Sequence, residues 1–435
     1  MTSPGRALGL DFGTTNSVVA RSGGDGSASL VTMAGAGATG AVFRSALCFW
    51  QDEDQRKGPA SGLGCEAGPW AIAEYLDFPL GCRFIQSFKT VAASPTFDSA
   101  PVFNRRLRFE ELGQLFLEKL VGHAGGALAD LPPRIVVGRP VNYAGARPDP
   151  ELARERYDRM FDRFGTGVHY VYEPMGAAFS YAARLDHPAT LLVADFGGGT
   201  SDFSVVRLAE PGAKHRCIPL GSAGIGIAGD RFDARIVEHL VLPILGKGSS
   251  YRSFDKVLEI PAGYFTDFAD WSRLALMRNR KTMDELARLH RSAVDPEAIG
   301  RMIAIIENEQ GFPLYDAVGQ LKRALSGESH ARFRFAGAGI TIEAEVARAD
   351  FESWIAEDLA RIDACVDEAL VRAGVTAGEI DRVFITGGSS LVPAIQAIFH
   401  RRFGAERIAA GDELTAIAHG LALIGEEDDM SGWTA

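Results

Sequence analysis

Apolar residues along the chain fall into short runs closed by an acidic residue or a glycine, separated by stretches with helical spacing. Leu8-Gly9-Leu10-Asp11-Phe12-Gly13 is the first such run, and Ser17-Val18-Val19-Ala20 follows it across a polar turn. Two apolar runs around a small polar turn predict a β-hairpin. Strand character returns at Leu30 to Met33 and Val42 to Trp50, and Asp52 to Pro69 is glycine-rich and polar enough for a surface loop. Leu112, Leu115, Phe116 and Leu120 repeat at helical spacing and predict a helix over Phe109–Ala124. Arg134 to Gly138 reads as a buried strand and Glu151 to Phe164 as a helix. Val168 to Val171 reads as a strand and Gly176 to Ala183 as a helix. Alternating strands and helices predict an α/β protein.

After a break at Leu185-Asp186-His187-Pro188 the opening pattern recurs. Leu191 to Gly197 ends in Asp195-Phe196-Gly197, Gly198-Gly199-Thr200-Ser201-Asp202 makes the turn, and Phe203 to Val206 returns. A repeated pattern of this kind predicts two related lobes, residues 1–187 and 188–425. Phe232 to Leu245 is amphipathic. Residues 246–326 form a helical insertion with little strand signal, with helices at Arg273–Ser292 and Glu297–Asn308. Ile340 to Ile342 is strand-like, Asp350 to Ala373 one long helix, and Val383 to Thr386 a strand before the turn Gly387-Gly388-Ser389-Ser390 and a helix to Phe403. Residues 426–435 make an acidic tail, read as loosely attached.

Composition narrows the function. At 435 residues the chain is long for one simple core. Its 45 Lys+Arg against 56 Asp+Glu give a formal net charge of −11, which argues against a nucleic-acid or anionic-membrane surface. Five widely spaced cysteines without a C-x-x-C pair suggest neither a zinc cage nor a disulfide framework, and no stretch has the length of a membrane span. A cytoplasmic setting is expected.

Two hairpin tips rich in Gly and Thr can offer backbone N–H groups and hydroxyls to phosphate oxygens. Asp11 and Asp195 stand just before those tips and would repel a bare phosphate, so a cation has to lie between. Mg²⁺ takes few carboxylates together with phosphate oxygens and water, and the pair reads as its holder on a nucleotide. A single Asp-x-Gly would be an ordinary turn; its recurrence in both halves favours the functional reading. The third glycine turn, at Gly387, can present a helix N-terminus to phosphate or sugar. A fourth, Gly224-x-Gly226-x-x-Gly229-Asp230, superficially matches a dinucleotide fingerprint. It lacks the acidic residue at the end of a second strand, which rejects hydride transfer.

Leu8 to Ser17, Asp195 to Asp202 and Val383 to Pro393 resemble, in order and spacing, the three signatures of the seventy-kilodalton heat-shock chaperones. Glu173-Pro174 followed by Gly176-Ala177-Ala178 resembles a further stretch of that family. The resemblance covers about residues 8–425 and is nearest to the short YegD-like branch. It implies the actin-like ATPase fold, with ATP or ADP and Mg²⁺ in a cleft between the lobes. It places Gly13, Thr14, Thr15 and Asn16, with Gly197, Gly198, Gly199 and Thr200, around the phosphates, and Asp11 and Asp195 on Mg²⁺ through waters. Lys89, Glu173, Thr200 and Asp202 become the catalytic set at the γ-phosphate and the attacking water. Gly229 and Asp230 lie by the ribose. Lys322, Arg323 and Ser326, Gly387, Gly388 and Ser389, and Asp412 fall on the adenosine side.

This sequence departs from the family at Leu391 and Gly319, where arginine and glutamate are usual, and at His169, where an arginine often meets J-domain partners. The family's apolar linker and peptide-binding domain are not expected after Gly425. The sequence therefore predicts a slow, Mg²⁺-dependent ATPase with an unidentified protein partner or client. The alternatives are a nucleotide-gated actin-like assembly module and a small-molecule kinase of the same superfold.

Overall fold

The computed structural model describes residues 7–35, 38–51, 62–145, 147–165, 167–182, 185–210, 217–409, 415–428 and 430. Two main sheets organise it. In the first, Ala7–Phe12 pairs antiparallel with Asn16–Ser22 and parallel with Arg134–Arg139. Asn16–Ser22 is flanked by Ala28–Leu30 and Val42–Arg44, and Arg134–Arg139 by Gly167–Tyr172. In the second, Ala189–Phe196 pairs antiparallel with Ser201–Leu208 and parallel with Arg382–Thr386, flanked by Cys217–Ile225 and Ile408–Ala409. Both sheets share one pattern: a central strand, an antiparallel hairpin partner on one side and parallel strands on the other. The sequence repeat therefore extends to topology.

Two helices lie between the sheets. Glu173–Ala182 begins with a glutamate and a proline, and proline costs little in a first turn, where no N–H acceptor bond is lost. Ala416–Ile424 is apolar on most faces and buried through nearly its whole length. It packs against Glu173–Ala182 and against the first sheet, although it falls within the stretch that sequence reading assigned to the second lobe. The crossing is close: a Cβ at Gly420 would lie 1.7 Å from the Gly176 carbonyl oxygen. Val136, Val171, Leu191, Val193, Phe384, Ile417 and Leu421 form the core of this layer. A separate aromatic core fills the first lobe, where Phe12, Phe43, Phe88, Phe109, Phe116 and Tyr157 meet.

Several expectations change in detail. Phe109–Ala124 forms as predicted and stops at Gly125, with φ +55°. The helix expected over Arg273–Ser292 is two, Trp271–Met277 and Arg280–Ser292, because Asn279 caps the second by accepting from the Thr282 N–H at 3.0 Å. The long helix over Asp350–Ala373 likewise breaks at Ile355 into Arg348–Trp354 and Ala356–Ala373. The insertion is mainly helical and also carries a hairpin, Ser250–Ser253 with Lys256–Glu259.

The start of the acidic tail is docked rather than loose. The Gly24 and Gly26 N–H groups donate to the Glu426 carboxylate at 2.6 and 3.0 Å. Arg134 donates to the Gly425 and Glu427 carbonyls at 3.2 and 2.7 Å, and Met430 is buried. Backbone amides in a glycine turn make a concave anion site, a local feature that net acidity does not reveal.

Candidate nucleotide and metal site

The hairpin tips face each other across the cleft. A Cβ placed on Gly198 would lie 2.4 Å from Thr15 Oγ1, and one on Gly199 would lie 3.4 Å from Thr14 Oγ1. The second tip is held by the Gly197 N–H donating to the Thr200 carbonyl at 3.0 Å, and by the Asp230 N–H donating to the Gly198 carbonyl at 2.7 Å. The first is braced by Ser45, whose N–H donates to the Thr15 carbonyl at 2.9 Å and whose hydroxyl donates to the Gly13 carbonyl at 2.7 Å. Ser45 has no motif around it, so sequence reasoning missed it.

Below the tips lies an acidic floor. Asp195, Asp202 and Glu173 are buried, as is Lys89, whose ammonium is ion-paired with Glu173. Burial, then the neighbouring Glu173 charge, pushes the Asp11 carboxyl up to about 7 against the pull of Lys89. Asp195 is raised well above the usual carboxylate range by burial and by the charges of Glu173, Asp11 and Asp202. Burial opposes the Lys89 charge, but Glu173 and Asp11 outweigh it and hold the ammonium's pKa above its ordinary value. The floor therefore holds more negative charge than its one lysine offsets.

Among the described residues no group of three or more His, Cys, Asp or Glu side chains forms a metal cage. Two hard carboxylates with surplus negative charge, beside hydroxyl- and amide-lined tips, fit a hydrated Mg²⁺ completed by phosphate oxygens. Asp11 and Asp195 would hold it.

Asp202 has a further role. Its Oδ1 accepts from the Val141 N–H at 2.7 Å and the Asn142 N–H at 3.4 Å, and the Asn142 side chain donates to the Gly224 carbonyl at 2.6 Å. These bonds tie the loop after Arg134–Arg139 to the second lobe. Asp202 Oδ2 is buried without a hydrogen-bond partner. Burial, then Glu173, pushes this carboxyl up to about 7, opposed by the nearby Thr200 hydroxyl and by the bonds from Val141 and Asn142. Tyr143, on the same loop, is buried close enough to Lys89 and Glu173 to feel both charges. It too lies outside every motif.

The residues expected on the adenosine side converge on the second lobe. A Cβ on Gly229 would lie 2.5 Å from Ser389 Oγ and 3.4 Å from Lys322 Nζ. Lys322 pairs with Asp233 at 2.7 Å and donates to the Gly229 carbonyl at 3.2 Å, while Ser326 donates back to the Lys322 carbonyl at 3.0 Å. Gly387 has φ +85°, and a Cβ there would come 2.2 Å from the Phe196 carbonyl, so the turn needs glycine on both counts. Arg323 Nη1 lies 3.3 Å from where a Gly319 Cβ would stand, over the space a longer side chain would fill. Leu391 is half exposed at the turn. Asp412 lies outside the described residues.

Comparison with known proteins finds similarity to chaperones. The family model for Hsp70 protein matches residues 305–427. The chain is 24% identical over 427 residues to the Chaperone protein DnaK of Deinococcus proteolyticus, covering 96% of this chain and 58% of that protein. It is 25% identical to the Chaperone protein DnaK of Deinococcus radiodurans, covering 96% and 59%, and 23% identical to the Chaperone protein dnaK of Gracilaria tenuistipitata var. liui, covering 98% and 62%. The chain is thus similar to Hsp70-family proteins along most of its length. Its fold is the actin-like ATPase fold, which accounts for the duplicated sheets and the helices crossing between them. The chain spans about three fifths of the length of the curated relatives it matches. Among the described residues no helix is long and apolar enough to cross a membrane.

Proposed function

We propose that this chain is a member of the Hsp70 family that binds ATP with Mg²⁺ in the interlobe cleft and hydrolyses it slowly, as a chaperone-like switch of the YegD-like branch. The observation that carries this reading is the meeting of the Gly198 and Thr15 tips, with Asp11 and Asp195 on the strands that lead into them. Bound Mg²⁺ would supply charge neutralisation between the carboxylates and the phosphates. Thr14, Thr15 and the Gly197–Thr200 turn bind and orient the phosphates. Lys89, fixed by Glu173, offers a buried positive charge on the γ-phosphate side. Glu173 orients the attacking water, and Asp202 Oδ2 is the unpartnered oxygen able to take its proton. Such catalysis works by positioning and charge stabilisation.

A phosphate-release assay with Mg²⁺-ATP tests the reading. Wild-type turnover should exceed that of Asp11→Asn and Asp195→Asn by at least roughly tenfold, a barrier difference of about 1.4 kcal/mol. Equal turnover in all three would end the paired-carboxylate assignment.

One observation favours a second reading. A cavity of about 960 Å³ opens between the lobes beyond the phosphate tips, lined by Thr90, Gly199, Gly226, Asp230, Trp271 and Asn279 among others. Gly199 and Asp230 border it on the nucleotide side, while none of Lys322, Arg323, Ser326, Gly388 or Ser389 lines it. It has room for a small hydroxyl-bearing acceptor, which would make the chain a kinase. Following labelled γ-phosphate in the presence of candidate polyols separates the two: free phosphate alone supports hydrolysis, and label on an acceptor supports transfer.

A further inference from the structure

Arg44 is the last residue of the strand Val42–Arg44, in register with Asn16 at the tip of the first hairpin, and it precedes the Ser45 that braces that tip. It is partly buried. The charges acting on it most strongly belong to the second lobe: Asp230 and Asp233, then Arg323 and Asp316. Arg44 therefore reaches from the first lobe to the place where hairpin tip and adenosine side meet.

A guanidinium has five N–H donors and no acceptor, and a partly buried one is costly unless those donors are used. With the Gln86 amide turned so that its oxygen faces donors, that oxygen accepts from Arg44 Nη2 and from Trp271 Nε1, each at 3.0 Å. Among the described residues Arg44 has no carboxylate within ion-pair distance. Among the described residues no hydrogen bond from its other donors to a protein acceptor is formed, and the charges of Asp230 and Asp233 act on it from the second lobe.

We infer that Arg44 is a phosphate-contacting residue of the nucleotide site, a first-lobe guanidinium for the diphosphate of a bound nucleotide. This rests on the nucleotide reading above. Arginine suits the task because its planar fork matches phosphate oxygens. The role has a consequence for recognition: the contact is to phosphate, so it discriminates nucleotide from nucleoside.

Calorimetric titration of the full chain with ADP and with adenosine, both with Mg²⁺, tests this. Arg44→Gln should weaken ADP binding by roughly tenfold, the loss expected for a charge-assisted bond, and leave adenosine affinity unchanged. Arg44→Lys should fall between, keeping the charge without the fork. Equal weakening for ADP and adenosine would show that Arg44 only props Gln86 and Trp271, and would overturn the assignment. Unchanged ADP affinity would overturn it too. If Arg44→Gln does not fold, Arg44→Lys decides: a loss confined to ADP supports the contact, and no selective loss ends it. Wild-type protein that binds no ADP would sink the nucleotide reading and this inference together, whereas wild-type binding with an unselective Arg44→Gln sinks the inference alone.

Discussion

Lys89 opposes three carboxylates of the cleft. It is the buried cation facing Asp11, Glu173 and Asp195, and it is ion-paired with Glu173. Removing one partner of a buried pair leaves an uncompensated charge, at a cost of roughly 3–5 kcal/mol. Lys89→Met should therefore lower stability in urea unfolding by about 3 kcal/mol as well as abolish turnover. The double variant with Glu173→Gln should regain much of the stability and none of the turnover. A Lys89→Met protein as stable as wild type would show that the pair contributes little.

Asp230 makes a separate pH prediction. Burial, then Asp233, raises its carboxyl from the ordinary 3.8 to about 7. Between those values the folded state holds the proton more firmly than the unfolded state, so stability falls as pH rises from about 4 to 7. Asp230→Asn removes that penalty. Without nucleotide or metal, the variant should match wild type near pH 4 and exceed it at pH 8 by roughly 1–3 kcal/mol. Parallel stability curves across that range would refute the shift.

Packing between secondary-structure elements depends on a few glycines and spares others. Gly420 and Gly176 let the crossing helices approach until backbone meets backbone, and Gly9 lets Ala416–Ile424 lie on the first sheet, where a Cβ would come 2.2 Å from the Ala418 carbonyl. Gly122 sits inside Phe109–Ala124 with nothing within 4 Å of an added Cβ. The same substitution should thus have opposite signs. Gly122→Ala should stabilise by about 0.5–1 kcal/mol through helix propensity, and Gly420→Ala should destabilise by more than about 2 kcal/mol through overpacking. Thermal melts of both variants check this, and equal small effects would mean that the crossing can relax. The docking of Glu426 and Glu427 on the first lobe belongs to this level too, because it fixes how the chain leaves Ala416–Ile424.

The lobes share two kinds of contact. One is apolar: the central helices, together with a seam in which Tyr75 and Phe84 of the first lobe pack against Phe312 of the second. The other surrounds the cleft, where Asp202, Asn142 and Gly224 join the lobes by a few hydrogen bonds. A nucleotide bound between the tips would add contacts to both lobes at once. Mg²⁺-ADP should therefore raise the melting temperature of the whole chain in one transition, by the equivalent of about 2.7 kcal/mol at a hundredfold excess over Kd. Chelating the metal should remove most of the gain. A gain that is insensitive to chelator would exclude Asp11 and Asp195 as metal holders.

The local patterns of this chain were readable because they depend on spacing alone. Asp11-Phe12-Gly13 and Asp195-Phe196-Gly197 announce two hairpins, the period of Leu112 to Leu120 announces a helix, and their repetition announces two lobes. Such signals arise from neighbours in sequence, where side-chain direction alternates or turns with a fixed period. Ser45, Tyr143 and Arg44 carry no such signal, because their partners stand far away along the chain: Thr15 and Gly13 for Ser45, Lys89 and Glu173 for Tyr143, Asp230 for Arg44. The packing of Ala416–Ile424 on the first lobe, and the capture of Glu426 by the Gly24 and Gly26 amides, are long-range events of the same kind. Sequence thus determined the elements and the residue types able to meet phosphate and metal. Only the tertiary structure decided which of them share the cleft, because burial and charge act through space and do not follow the order of the chain.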